Sequence, residues 1–114
     1  MQAGNFTKLG LVALGEVVRQ ALLEQQPEWQ QSTLVERLAA TGHKTNKDRV
    51  SRLITAGTTT VDAALVLAIA RLEICRNPAT GEPYSNDDLL DIACELIDPK
   101  TGLRKNRFNG VAKD

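Results

Sequence analysis

The sequence predicts an all-α fold, a compact bundle of five helices. A chain of 114 residues is one domain by default. Apolar residues make up 42% of the chain but aromatic residues only 4%, so the core must consist of Leu, Val, Ile and Ala. Such a core suits packed helices, because strands favour aromatic and β-branched side chains. Apolar residues also recur at helical spacing in five segments that are bounded by caps or helix breakers.

The first helix is predicted to run from about Thr7 to Gln26, where Pro27 stops it. Gly10 and Gly15 lie in its early part, and glycine is a poor helix former, so they weaken that part. The residues that should face the core share helical spacing: Leu11, Leu14, Val18, Ala21 and Leu22.

The second and third helices are short. Thr33 and Glu36 form a T-x-x-E capping box that is predicted to start the second helix, and Gly42 is predicted to stop it. The third helix is predicted to begin near Asn46, with Thr45 and Asp48 as a T-x-x-D capping pattern, and to end at Gly57. Its core-facing residues should be Val50, Leu53 and Ile54.

The fourth helix is predicted to open with a capping pattern formed by Thr59 and Asp62. Asp62 is also the only charge between Val61 and Ala70. Because a helix that is apolar all round is buried on most sides, the segment from Val61 to Leu72 is predicted to be the central helix.

The fifth helix is predicted to start with a capping box formed by Ser85 and Asp88, and Pro99 follows its end. Two similar turn sequences, NPATGE and DPKTGL, stand on either side of it. Asn or Asp followed by Pro fits the start of a type I turn, and Gly fits its left-handed exit. These sequences predict short turn or hairpin segments near residues 77–84 and 98–108.

The residue inventory argues against an enzyme. One histidine, no glycine-rich phosphate loop and no His/Cys pair at metal spacing leave no cofactor or metal to expect. Cys75 and Cys94 form no C-x-x-C pair and are expected to be free, buried thiols. The apolar stretch from Leu9 to Gly15 is too short to cross a membrane, so a cytoplasmic protein without membrane contact is expected.

Charge is unevenly distributed in a chain whose 14 basic and 14 acidic residues cancel. Residues 77–99 contain six acids and no base, whereas residues 100–114 hold five bases and one acid. A second basic segment, GHKTNKDRVSRLI at residues 42–54, holds four bases and one acid. The C-terminal segment is open to three interpretations: a disordered tail, an arm that follows DNA phosphates, or a hairpin that ends with Phe108 against the core.

The third helix should turn a polar, partly basic surface outward. Arginine can pair with guanine in the major groove, Ser and Thr read bases or phosphates more weakly, and loop lysines can hold phosphates. His43 and Lys44 lie in the preceding loop. The alternative is that these charges only solvate helix surfaces. Helical spacing places outward or on the flanks Lys47, Asp48, Arg49, Ser51, Arg52 and Thr55.

Four segments, in this order, resemble the Xre/lambda-repressor-like helix-turn-helix family: LGEVVRQALLE, QSTLVERLA, NKDRVSRLITAG and TTTVDAALVLAIARL. The resemblance implies a helix-turn-helix domain over residues 14–98, with an N-terminal extension of the first helix (1–13) and a basic C-terminal tail (99–114). It also implies a DNA-binding regulator that acts as a homodimer on double-stranded DNA. Its predicted DNA-binding residues are Gln31, Lys44, Asn46, Lys47, Asp48, Arg49, Ser51, Arg52 and Thr55.

Two further expectations concern partners. The apolar excess of the first helix, from Leu9 to Val18, is larger than one core-facing stripe needs and predicts a dimer surface. The alternative function is a non-enzymatic protein-interaction module, adaptor or antitoxin-like, that binds a protein through the acidic segment 82–98 or through Trp29. The neutral net charge favours this alternative, while the basic third helix favours DNA.

Overall fold

The structure, a computed structural model, describes residues 6–57 and 61–105. Over these residues a short antiparallel hairpin follows the helices, with β1 (Ile97–Asp98) paired to β2 (Leu103–Arg104). The five helices are α1 (Lys8–Leu23), α2 (Gln31–Ala40), α3 (Lys47–Thr55), α4 (Ala63–Leu72) and α5 (Asn86–Ala93). The prediction of an all-α class with five helices is therefore confirmed.

Two helices start at their predicted capping residues, Thr7 and Ser85, whereas α3 starts at Asn46, one residue after its predicted capping residue Thr45. The side chains of Thr7, Asn46 and Ser85 each accept a hydrogen bond from a backbone N–H three residues on, at 2.9, 2.9 and 3.0 Å. Asp88 in turn accepts from the Ser85 N–H at 3.3 Å, which completes the predicted capping box of α5. Each cap satisfies an N–H group that the first turn of a helix would otherwise leave unpaired.

The second helix starts earlier than predicted. α2 begins at Gln31 with Gln30 as its N-cap, and the Thr33 hydroxyl accepts from the Gln30 N–H at 3.3 Å. Thr33 therefore closes the capping box from the third helical position and is not the cap. α4 begins after Asp62, whose Oδ1 accepts a first-turn N–H at 3.1 Å; Thr59, its other predicted capping residue, lies outside the described residues.

The central helix of the bundle is α1, so the prediction that α4 is central is wrong. α1 packs against α3 on one side and α5 on the other, and its residues Leu14 and Val18 are 0% and 1% exposed. α4 buries Leu65 and Ile69 but leaves Leu67 and two alanines of its first turn exposed. Its long apolar run reflects small residues on the outer surface rather than burial on every side.

Two glycines determine how closely α1 approaches its neighbours. A Cβ atom on Gly10 would lie 1.9 Å from the Ala93 carbonyl oxygen of α5, and one on Gly15 would lie 2.3 Å from the Ile54 carbonyl oxygen of α3. Both obstacles are backbone atoms, which cannot rotate away. Glycine is thus required at both helix contacts, whereas the sequence suggested only weak points in the helix.

The two turn sequences form hairpin-like structures at the predicted places. Gly81 and Gly102 both adopt φ +77°, a left-handed backbone that glycine tolerates. The Asn77 Nδ2 donates to the Gly102 carbonyl at 3.1 Å, so the two turns are joined. The β1–β2 hairpin spans the predicted boundary between residues 98 and 99, and Phe108 lies outside the described residues.

Candidate nucleic-acid interface

The candidate interface comprises α2, the six residues from Thr41 to Asn46, and α3. α2 ends in a Schellman motif, in which the His43 N–H donates to the Leu38 carbonyl at 2.9 Å. Gly42 adopts φ +100°, which a side chain would strain. This turn stops α2, and the chain then passes through Lys44 to the start of α3.

α3 keeps one apolar side against the bundle and turns the other side to solvent. Val50 is 0% exposed, and Leu53 and Ile54 pack partly buried against the core. The orientation that helical spacing predicted is therefore present. Of the predicted surface residues, Ser51 is half-buried, and those that are exposed are Lys47, Asp48, Arg49, Arg52 and Thr55.

Two of the four bases of this segment are paired with acids. Arg52 Nη2 lies 3.0 Å from Asp48 Oδ2, one helical turn away. Arg49 Nη1 lies 3.9 Å from Asp62 Oδ2 at the start of α4. Every side chain involved is more than a third exposed, and pairs of this kind contribute only about 0–1 kcal/mol. Both arginines can therefore exchange their acid for another partner at small cost.

The other two bases, Lys44 and Lys47, are exposed and form no ion pair with any described residue. They stand just before and at the first turn of α3, where backbone N–H groups point outward and the helix dipole is positive. Asn46 lies between them and fixes the helix start, because its Oδ1 accepts the Arg49 N–H. Lysine charge and helix dipole thus add at the same end of α3.

Gln31 and Thr55 are less available for contacts with a partner. Gln31 is the first residue of α2 and is half-buried. The Thr55 hydroxyl donates to the Ser51 carbonyl at 2.8 Å, so in the free protein it is engaged within the helix. The structure therefore brings the residues from Lys44 to Thr55 together on one segment, with Gln31 at the start of the preceding helix.

Trp29 covers the edge of the bundle. Its side chain is partly buried against the core, and its backbone N–H donates to the Leu22 carbonyl at 3.0 Å. The Arg37 guanidinium of α2 lies over the indole ring, 5.1 Å from the ring centroid, in a cation–π contact. This arrangement ties α2 to the end of α1. The sequence offered Trp29 but no signal for Arg37, because the contact depends on the turn between the helices.

Three of the six acids in the segment 82–98 are paired with bases of residues 104–105, and Glu82, Asp87 and Asp98 form no ion pair among the described residues. Arg104 Nη2 lies 2.7 Å from Asp91 Oδ2 and 3.6 Å from Asp88 Oδ1, and Lys105 Nζ lies 3.9 Å from Glu95 Oε1. Sequence reasoning treated the acidic and basic segments separately and missed these pairs. The signal was present in the turn sequence DPKTGL, which folds the chain back onto α5.

The described residues contain no group of three or more His, Cys, Asp or Glu side chains that could hold a metal ion. None of the helices described above is long and apolar enough to cross a membrane. Comparison of the chain with protein-family models, curated proteins and solved structures found no match. The resemblance to the Xre/lambda-repressor-like family therefore stays a prediction.

Proposed function

We propose that this chain is a sequence-specific DNA-binding transcriptional regulator that places α3 in the major groove and acts as a homodimer. One observation supports it above all: four exposed bases lie at the start and on the outer surface of a single amphipathic helix. α3 has nine residues and is therefore about 14 Å long. An α-helix with its side chains is about 10–12 Å across and so fits into a major groove about 12 Å wide. The bases are Lys44, Lys47, Arg49 and Arg52.

The roles follow from position. Arg52 exchanges Asp48 for the edge of a guanine, while Lys47 and Ser51 face neighbouring bases. Lys44, in the turn, contacts a phosphate and fixes the register of the helix on the duplex. Asp48, released from Arg52, accepts a hydrogen bond from cytosine or is tolerated as a local repulsive charge.

The alternative, an adaptor or antitoxin-like interaction module, has less support. It requires the acidic segment 82–98 to be available for a protein partner. Asp88 and Asp91 already pair with Arg104, and Glu95 pairs with Lys105. Trp29, the other suggested anchor, is partly buried against the core.

The test starts with selection of bound sequences from a random duplex pool at a stated salt concentration. Binding isotherms on cognate and scrambled duplex are then measured at several salt concentrations. Arg52→Ala should cost about 1–3 kcal/mol on the cognate duplex and relax the preference at one position. Lys44→Ala should weaken binding to all sequences alike and reduce the salt slope by about one unit.

Two further variants sharpen the test. Asp48→Asn should strengthen binding to the scrambled duplex, because it removes a negative charge and frees Arg52. Arg71→Ala is the matched control, since Arg71 is exposed on α4, outside the interface. The duplex affinity of this variant should equal that of wild type. If wild type, Arg52→Ala and Lys44→Ala all bind duplex equally weakly, the basic cluster only solvates α3 and the DNA function is rejected.

A further inference from the structure

A groove runs along the outer side of α1, away from the side that packs against α3 and α5. Its volume is about 460 Å³ and its lining is mostly apolar. One wall is α1 itself, and the other is formed by the two turns that flank α5, with Arg76, Tyr84 and Lys100 among their residues. The proposed DNA-contacting residues do not line it.

Apolar residues near the start of α1 line this groove and are exposed. Leu9 is 71% exposed and Val12 is 47% exposed, and Ala13 and Val17 continue the same lining. Leaving a leucine in water forgoes about 1.5–3 kcal/mol of burial energy. Clustered apolar side chains of this kind mark interaction surfaces more often than scattered ones do.

The charged residues around the groove are segregated, with acids on one wall and bases on the other. Glu16 and Glu24 belong to the α1 wall, and Arg76 and Lys100 belong to the wall of turns. Among the described residues, Glu16 pairs only with a neighbour on its own helix, and the other three form no ion pair. The rim is therefore neutral overall, with two acids on the α1 wall facing two bases on the wall of turns.

We propose that the groove receives α1 of a second copy of this chain, and that this contact forms the homodimer named in the proposed function. In a two-fold dimer the same surface serves both copies, so every contact occurs twice. The acids on α1 of each copy then meet the bases on the turns of the other, while the apolar residues of the two α1 helices cover one another. An anionic or a cationic ligand would satisfy only one wall, whereas a second copy satisfies both.

The apolar part of the proposal is tested by sedimentation without DNA, at tens of micromolar protein. Wild type should be dimeric. Leu9→Gln should weaken dimerisation by about tenfold or more, because it removes a buried leucine from the interface. Leu103→Gln is the matched control: Leu103 is also well exposed, at 61%, but lies outside the groove, and its dimer should match that of wild type. Circular dichroism melting checks that both variants keep the fold.

The charge pattern is tested with two double variants. Glu16→Lys with Glu24→Lys makes the rim wholly positive, and Arg76→Glu with Lys100→Glu makes it wholly negative. Each protein alone should be largely monomeric, and an equimolar mixture should recover the dimer, since a positive rim then meets a negative one. Adding Leu9→Gln to both proteins should abolish this recovery.

Three results would overturn the proposal: a wild type that stays monomeric, equal effects of Leu9→Gln and Leu103→Gln, or a mixture that does not associate. Because no DNA is present, these outcomes leave the duplex isotherms of Arg52→Ala untouched. A dimer that binds no duplex would reject the DNA function and keep the interface.

Discussion

The outer surface of α3 and the surface shared by α5 and the hairpin both concentrate charge, but they use it differently. On α3, Arg52 pairs with Asp48 at 3.0 Å within one helix, and both side chains are at least 60% exposed. On α5, Asp91 is only 26% exposed and pairs at 2.7 Å with Arg104 of the hairpin. The first pair is local and open to water, while the second joins two elements of the fold.

This difference shows why a run of like charges in a sequence does not identify a binding surface. The acids of α5 look available until the hairpin brings Arg104 and Lys105 beside them. The basic segment of α3 has too few acids within reach, so Lys44 and Lys47 are left without an ion pair among the described residues. Surplus charge after folding, rather than charge in the sequence, distinguishes the candidate interface.

The largest expected effect on folding stability comes from the contacts that pack α3 and α5, which carry the two charged surfaces, against α1. Gly15→Ala places a methyl group against the α3 backbone, and Gly10→Ala does the same against α5. Each should lower the free energy of unfolding by about 1–3 kcal/mol, although alanine is the better helix former. Urea unfolding measures this, with Gly57→Ala as control because its nearest neighbour would be at 3.4 Å. A Gly15→Ala protein more stable than wild type would contradict the α1–α3 contact.

A second expected effect is a loss of folding stability at alkaline pH, and it arises at Cys75, which precedes α5. Burial, with a smaller contribution from Glu24, raises the pKa of the Cys75 thiol from its ordinary 9.0 to about 12; burial also raises the pKa of Tyr84. The folded thiol keeps its proton where the unfolded one loses it, so its stability contribution is complete below pH 9.0 and declines above it. At about pH 10 the loss should be about 1 kcal/mol.

The measurement is urea unfolding of wild type and Cys75→Ala at neutral and alkaline pH. Cys75→Ala should be less stable at neutral pH, because a buried side chain is shortened. It should also lose less of its stability between the two pH values. Equal losses in both proteins would assign the alkaline sensitivity to other groups. Cys75 is a buried, free thiol as predicted, whereas Cys94 is only partly buried.

A third, smaller effect separates the two charged surfaces directly. Arg104→Gln removes the partner of two partly buried carboxylates and should cost about 0.5–1 kcal/mol, with a smaller cost at high salt. Arg71→Gln, at an exposed residue of α4 without an ion pair among the described residues, should leave the stability unchanged. If the two substitutions cost the same, the α5–hairpin pairs do not stabilise the fold.

Features that depend on neighbouring residues could be predicted from the sequence. The caps at Thr7 and Ser85 and the outward side of α3 follow from spacing within one helix. The cap of α3 was predicted one residue too early, at Thr45, and lies at Asn46. The predicted start of α2 was wrong because two capping patterns overlap: Thr33 can serve either as the cap or as the residue that bonds back to the cap. Sequence alone does not decide between them, since both bury Leu34.

Features that depend on distant residues could not be predicted in this way. Gly10 and Gly15 looked like weak points because the backbones of α5 and α3 that approach them are far away in the sequence. The prediction that α4 is the central helix was wrong for the same reason, since an apolar run does not show which sides of a helix face other helices. The candidate interface was the most predictable part, because it depends on one helix and the loop before it.

The smallest expected effect is on the stability of α3 itself. Arg52→Gln should change the free energy of unfolding by less than about 0.5 kcal/mol, because its pair with Asp48 is exposed and local. A double-mutant cycle with Asp48→Asn isolates the pair and should give a coupling energy of the same small size. A coupling above about 1 kcal/mol would make this pair as structural as that of Arg104 and remove the contrast between the two surfaces. A small coupling, beside a large loss of duplex affinity in Arg52→Ala, would show that α3 keeps its arginine for a partner rather than for the fold.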